Sequence, residues 1–279
     1  MPRVLVTGAA RGIGRATTLR LAATGWDVIA GVRQEADGDE LMSANPGPVM
    51  TVPLDVTDEA QVAALDRVLP EQLDAIVNNA GVVVGGPVEA IPPAELRRQL
   101  EVNVVAQAAV TQAVLPRLRA SRGRIVFVSS LSGRVATPLT GAYSASKFAL
   151  EGMADAMRME LAPWGIKVVL VEPAQTDTDM WRGADAELDD SVAALSPAHR
   201  ELYAKHIAGF RKTIPRSQRM AAPVDGVAAT IEKALTAPRP KARYVVGTGP
   251  RLQALMAKLT PTPMLDRLLR AGTGVPRTP

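Results

Sequence analysis

The chain has no cysteine among its 279 residues. That excludes disulfides, thiolate metal sites and cysteine nucleophiles, and it suits a reducing cytoplasm. His199 and His206 are the only histidines, too few for a multi-histidine centre, so no metal is expected. Aromatic residues make up 3% of the composition, which leaves little for stacking single-stranded nucleic acid. The net charge is +4 and the isoelectric point near 9.6, yet the basic residues are dispersed and form no stripe. Nucleic acid is therefore not an expected partner, although a positive surface favours an anionic ligand. No run of about 18 apolar residues appears, so no membrane span is expected. The opening MPRVLVTG enters a strand pattern at once, leaving no room for a signal peptide. The expectation is a soluble cytoplasmic protein.

Hydrophobic residues supply 47% of the chain, enough for a sizeable core. Short β-branched runs at 3–7, 27–32, 49–54, 74–79, 124–130 and 167–173 read as strands, with a seventh at 243–247. They are almost continuously apolar, as parallel strands covered on both faces must be. Helical patterns lie between them at 12–24, 58–69, 94–119 and 142–162, and another at 223–237. This alternation predicts one α/β domain: a doubly wound, Rossmann-like parallel sheet of about seven strands.

Residues 175–222 differ. They are polar, show few regular periods, and read either as a lid over a binding site or as a disordered surface loop. The segment 251–270 is apolar and basic with a proline-interrupted helical pattern. Packing on the body or closing a substrate cleft is favoured for it over a weak peripheral contact with a membrane surface.

Between the first strand and first helix stands VLVTGAARGIGRA. Its Gly8, Gly12 and Gly14 follow the spacing TGxxxGxG. Glycines there let the backbone turn sharply and approach a pyrophosphate, whose charge rests on free N–H groups of the helix N-terminus.

This stretch, with LDV (54–56), NNAG (78–81), Asn103, VSS (128–130), YSASK (143–147) and EPAQTDT (172–178), resembles the short-chain dehydrogenases/reductases. The resemblance runs from Val4 to about Thr178, with the motifs in the family's order. It implies that Gly8, Arg11, Gly12, Ile13 and Gly14 cradle a nicotinamide dinucleotide. It also implies that Asp55 and Val56 hold the adenine, that Asn79 and Ala80 lie beneath the adenosine ribose, and that Thr178 contacts the nicotinamide carboxamide. One departure is visible: the family usually carries Pro-Gly where this chain has Pro173-Ala174.

An acidic residue at the end of the second strand would bind the ribose hydroxyls and repel a 2′-phosphate. The chain has Gly31 there, with Arg33 just beyond and Arg11 in the glycine loop. Two guanidinium groups would suit the phosphate, so NADP(H) is favoured and NAD(H) is the alternative.

Tyr143 and Lys147 are four residues apart and share a helix face. A free phenol has a pKa near ~10, and a neighbouring ammonium favours the phenolate, so the lysine is expected to lower it toward the useful range. The resemblance implies that Tyr143 is the acid/base, that Lys147 also binds the nicotinamide ribose, and that Ser130 holds the substrate oxygen, with Ser129 and Ser132 as competitors. Asn103 would hold a relay water beyond the lysine. An asparagine is mildly unfavourable inside a helix, consistent with a special use.

The expected reaction is hydride transfer between the cofactor and a carbonyl or secondary alcohol. By its closeness to the steroid and retinoid dehydrogenase branch, the substrate is expected to be lipophilic. Residues 81–91, 172–181 and the C-terminal segment would wall the cleft. A serine hydrolase would need GxSxG, and VSSLSG lacks the first glycine. A non-catalytic NADP sensor or scaffold is the remaining alternative. The family commonly associates through the helices near 94–119 and 142–162, which implies a homo-dimer or homo-tetramer.

Overall fold

The computed structural model describes residues 1–44 and 47–276. Seven strands form one sheet: β1 (Arg3–Thr7), β2 (Asp27–Val32), β3 (Val49–Pro53), β4 (Ala75–Asn78), β5 (Arg124–Val128), β6 (Lys167–Glu172) and β7 (Arg243–Val245). Their spatial order is β3-β2-β1-β4-β5-β6-β7, and every pairing is parallel. The order reverses between β1 and β4. A crevice at the carboxyl ends of these strands is where such sheets bind ligands.

Successive strand residues point to opposite faces, and both faces are buried. Leu5, Ile29, Ile76, Ile125 and Leu170 meet the helices α3 (Glu59–Val68), α5 (Ala106–Ser121) and α6 (Gly141–Glu160). Their neighbours Val4, Val6, Val28, Val126 and Val171 meet α1 (Gly12–Ala23), α2 (Glu35–Ser43) and α11 (Val224–Thr236). In α5 the inward positions are Ala106, Val110, Val114 and Leu118, one every four residues, so a single stripe covers the sheet.

Three features depart from the sequence reading. The first is α2, which polarity concealed: only Gly38 and Leu41 of Glu35–Ser43 are buried. The second is the long helix expected at 94–119. It is interrupted: α4 (Pro93–Leu100) runs into a π turn at Glu101–Val105 and then into α5.

The third is the region 175–222, which is neither irregular nor a loop. It folds as α7 (Asp179–Arg182), α8 (Ala184–Ala193), α9 (Pro197–Leu202) and α10 (Ala204–Arg219). These helices were hard to read because the first three span ten residues or fewer and bury little. They are started by caps: Thr178 accepts from Trp181 N, and Ser196 accepts from His199 N ahead of Pro197. Leu188, Leu195, Ile207 and Ile214 give them a small core of their own.

The C-terminal segment folds as α12 (Thr248–Leu259) and α13 (Thr262–Gly272), parted by Pro261. It touches the body in part. Gly274 lies against Gly209 of α10 so closely that a Cβ on either would overlap the other's backbone.

Candidate active site

The glycine loop lies at the switch point. Gly8 and Gly12 have φ of +62° and +54°, a region that L side chains rarely adopt. Gly14 has an ordinary φ but no space, since a Cβ there would overlap the Gly8 carbonyl oxygen and crowd the Asn79 amide. Three bonds lock this corner: Asn79 Nδ2 donates to the carbonyl oxygens of Thr7 (3.0 Å) and Gly8 (3.2 Å), and Asn79 N donates to the Thr7 hydroxyl (3.0 Å). Ala80 N also donates to that hydroxyl, at 3.1 Å. Thr7, completely buried, was not singled out from the sequence.

Helix α1 opens with no acidic residue in its first turn and no side-chain cap. Its N–H groups and positive dipole end therefore face the glycine loop without an internal anion. These features fit a dinucleotide pyrophosphate. Ile13 packs on the core beside them, and Thr178 approaches the loop, its methyl 3.4 Å from where a Gly12 Cβ would stand.

At the other end of the crevice, Arg33 and Asp55 line an open cleft of about 570 Å³ together with Gln34, Asp37, Thr57, Asp58 and Gln61. Thr57 donates to Asp55 Oδ1 through its N–H (3.0 Å) and its hydroxyl (2.7 Å), and these bonds hold the Asp55 carboxyl below its ordinary range. The Arg33 charge acts in the same direction. The side chain of Val56 is buried in the core, so only its backbone can serve a ligand. Gly31 is buried in β2, where a Cβ would come within 2.9 Å of Leu54. A side chain at that position would require the Leu54 methyl to shift. Arg11 is exposed and stands near enough to Glu187 of α8 to lower that carboxyl's pKa against the effect of burial.

Tyr143 and Lys147 lie on one face of α6, with Lys147 Nζ 5.7 Å from the centre of the tyrosine ring. Lys147 is 4% exposed, and its ammonium donates to the Val128 carbonyl at 2.9 Å. Burial pulls its pKa down to about 8, against the opposing charge of Glu151. For Tyr143 the direction corrects the sequence expectation. Burial pushes the phenol up from its ordinary value, and a hydrogen bond with Ser130 opposes this.

Three serines compete in VSSLSG, and their surroundings separate them. Ser130 caps a short turn, accepting from Ser132 N at 3.1 Å, and of the three it is the one close enough to the tyrosine to draw its pKa down. Ser129 points the other way, its hydroxyl beside Gly133 and Glu151 beneath the helix. Ser132 contributes its backbone N–H.

Asn103 sits in the π turn and is fully buried. Its Oδ1 accepts from Val82 N (2.9 Å), and its Nδ2 donates to Val82 O and Ser146 Oγ (3.0 Å each). Ser146 in turn donates to the Tyr143 carbonyl at 2.7 Å. Asn103 therefore ties the exit of β4 to the helix that carries Tyr143. π turns interrupt α-helices at functional sites more often than elsewhere.

Below the lysine lies a charged network the sequence reading missed. Glu172, with no exposed surface, receives Arg134 in a two-bond fork of 2.8 Å each. Arg243 joins Glu151 (2.9 Å) to Asp155 (2.5 Å). Burial pushes the Glu151 carboxyl above its usual range. The available signal was its position four residues after Lys147.

Residues 81–91 pack on the loop before α6. Gly86 N donates to Leu139 O at 2.8 Å, and a Cβ on Gly141 would strike Val88. Leu139 has φ +64°, a strained conformation for a bulky residue, held two residues before α6 begins. Ala174 does not have a left-handed backbone, so the residue that replaces the family's usual glycine carries no strain of that kind.

A short chain dehydrogenase family model matches residues 2–189. The chain is 34% identical over 278 residues to the NADPH-dependent 3-dehydrocapnine reductase of Ornithobacterium rhinotracheale, covering 96% of each chain. It is 32% identical over 280 residues to retinol dehydrogenase 5 of Mus musculus, covering 95% of this chain and 87% of that one. The crystal structure of a short chain dehydrogenase from Burkholderia cenocepacia J2315 in complex with NADP superposes with a TM-score of 0.75 at 27% identity, across 100% of this chain and 98% of that one. Sheet order, glycine corner and helix α6 agree with these matches, and the chain belongs to the short-chain dehydrogenase/reductase family.

Proposed function

We propose that the protein is an NADP(H)-dependent oxidoreductase that interconverts a lipophilic carbonyl compound and its secondary alcohol. The observation that carries this reading is the meeting of Ser130, Tyr143 and Lys147 at the carboxyl edge of the sheet, beside an uncapped, glycine-lined helix N-terminus.

Gly8, Gly12 and Gly14 with the α1 N–H groups would hold the pyrophosphate, Asp55 and the Val56 backbone the adenine, Asn79 and Ala80 the ribose side, and Thr178 the carboxamide. Arg33 and Arg11 would meet the 2′-phosphate. A bound nicotinamide supplies or accepts the hydride. In reduction the Ser130 and Tyr143 hydroxyls donate hydrogen bonds to the substrate oxygen, and Tyr143 gives its proton as negative charge develops there. The high phenol pKa keeps that proton in place at neutral pH. Lys147, with a pKa of about 8, could return a proton toward the tyrosine, and Asn103, bonded to Val82 and Ser146, would keep α6 in register.

NADP(H) over NAD(H) is supported by Gly31, which presents no acid to a 2′-phosphate, and by Arg33 in the adenine cleft. The relative named as NADPH-dependent and the neighbour solved with NADP point the same way. The relative named for retinol, an apolar alcohol, supports a lipophilic substrate, with α7–α10 acting as its lid. A non-catalytic sensor or scaffold would leave the Tyr143–Lys147 pair without a use. Val105, Phe148 and Met159 are exposed on the α5–α6 side, which favours a homo-dimer or homo-tetramer through those helices.

The test is oxidation of NADPH and of NADH across a panel of apolar and small carbonyl compounds. NADPH turnover on apolar ketones is expected. A protein that binds neither dinucleotide would end the proposal.

A further inference from the structure

In α12 the residues Leu252, Leu255, Met256 and Leu259 recur at i, i+3, i+4 and i+7, the spacing of a stripe that faces a core. Here the stripe faces solvent, with exposures of 60%, 53%, 50% and 69%. The half-buried positions are the small residues Ala254 and Ala257. Helix α13 continues the surface with Met264 and Leu268, 56% and 53% exposed, while Leu265 and Leu269 are the more buried pair. Six large apolar side chains on two consecutive helices are more than scattered surface residues account for.

The charges on the same helices have nearly one sign. Arg251, Lys258, Arg267 and Arg270 stand against the single acid Asp266. A second copy docking this face on itself across a two-fold axis would bring these four positive charges together with four more, which opposes self-association. An interface of lipid headgroups bearing negative charge accepts both features: acyl boundary for the leucines and methionines, and phosphate for the basic side chains. No helix among the described residues is long and apolar enough to cross a bilayer, so the contact would lie in its surface.

The unit is fixed to the rest of the protein at both ends. Arg251 Nε donates to Val245 O at 3.0 Å at the end of β7, and Gly274 packs on Gly209 of α10. Both anchors belong to the carboxyl edge of the sheet or to the helices that follow β6, the side on which Ser130 and Tyr143 lie. We propose that α12 and α13 form an interfacial docking surface that holds the enzyme on a membrane containing anionic lipid, with the cleft on the docked side. This goes beyond the catalytic reading and does not depend on it.

The test is co-sedimentation of the full chain with two kinds of vesicle, phosphatidylcholine alone and a three-to-one mixture with phosphatidylglycerol. Two variants are compared, one with Leu252, Leu255 and Leu259 changed to Gln, the other with Lys258, Arg267 and Arg270 changed to Gln, which leaves the Arg251 anchor in place. The expected result is partition onto the mixed vesicles, reduced at least ~10-fold in each variant and by high salt, since each basic residue near such a surface contributes roughly fivefold. All substituted side chains are exposed, and the helical circular-dichroism signal and its thermal transition check that each variant is folded. Three results would overturn the proposal: no binding of the wild type to mixed vesicles, binding that both variants retain, or a wild-type oligomer that the leucine variant converts to monomer while neither binds lipid. The last would make the face a contact between copies of the chain. Loss of turnover with vesicle binding intact would count against the catalytic reading alone.

Discussion

Gly14 and Gly249 both stand in the first turn of a helix, and only one has room for a methyl group. A Cβ on Gly14 would overlap the Gly8 carbonyl, whereas a Cβ on Gly249 meets nothing within 4 Å. The contrast extends to the regions around them. Near Gly14 the backbone of β1, α1 and the β4 exit is in mutual contact, pinned by Thr7 and Asn79. Near Gly249 lie helices with no fully buried side chain, joined to the body at a few points. The cofactor end is defined by close backbone approach, which tolerates almost no change. The C-terminal end is defined by a surface, which tolerates much.

The sharpest way to probe the rigid end is its chemistry. Tyr143→Phe removes the proton donor and keeps the ring, so kcat/KM for reduction should fall by about 10²–10⁴-fold. NADPH affinity, read by fluorescence, should stay within about twofold; a variant that keeps its activity would break the assignment. Gly14→Ala comes next. Overpacking there should cost about 1–3 kcal/mol of stability in urea unfolding and weaken dinucleotide binding as well. A silent substitution would mean the corner is looser than it looks.

Arg33→Asp should turn cofactor preference from NADPH toward NADH by about 10-fold or more, measured as the ratio of the two kcat/KM values. An unchanged ratio would remove Arg33 from phosphate recognition. The pH profile tests the lysine. Lys147 is held near 8, and reduction needs its proton, so reductive kcat/KM should decline as pH rises through about 8. The Glu151 charge raises that pKa, so Glu151→Gln should move the break to lower pH. A break that stays in place in the variant would separate Glu151 from the lysine. At the loose end, Gly249→Ala should stabilise the chain by about 0.5–1 kcal/mol, because it rigidifies the unfolded chain and improves a helix without a clash. Its sign is opposite to that of Gly14→Ala, although the substitution is the same.

How much could be read in advance followed the same division. The five central strands were visible as apolar runs, since strands covered on both faces admit almost no polar residue, and the partly exposed edge strands β3 and β7 were visible from their β-branched residues. That Tyr143 and Lys147 share a helix face was legible from their spacing, while the use of that pair and of the glycine corner was legible only through the family resemblance. Helices α7–α10 were not, since a few buried residues such as Leu188 and Ile207 give too weak a period. The charged network of Glu151, Glu172, Arg134 and Arg243 was hidden for another reason: its members come from four separate segments and meet only in the folded chain.

The amino-acid sequence by itself determined the alternation of strand and helix, the anion-binding turn and the residue types of the site, because each depends on neighbours a few positions away. Tertiary structure decided that burial acts on the phenol, that Asn103 is tied to Ser146, and that the leucine stripe of α12 points outward. Those outcomes depend on burial and on contacts between distant segments, such as Lys147 with Val128 or Gly209 with Gly274, which no local pattern encodes.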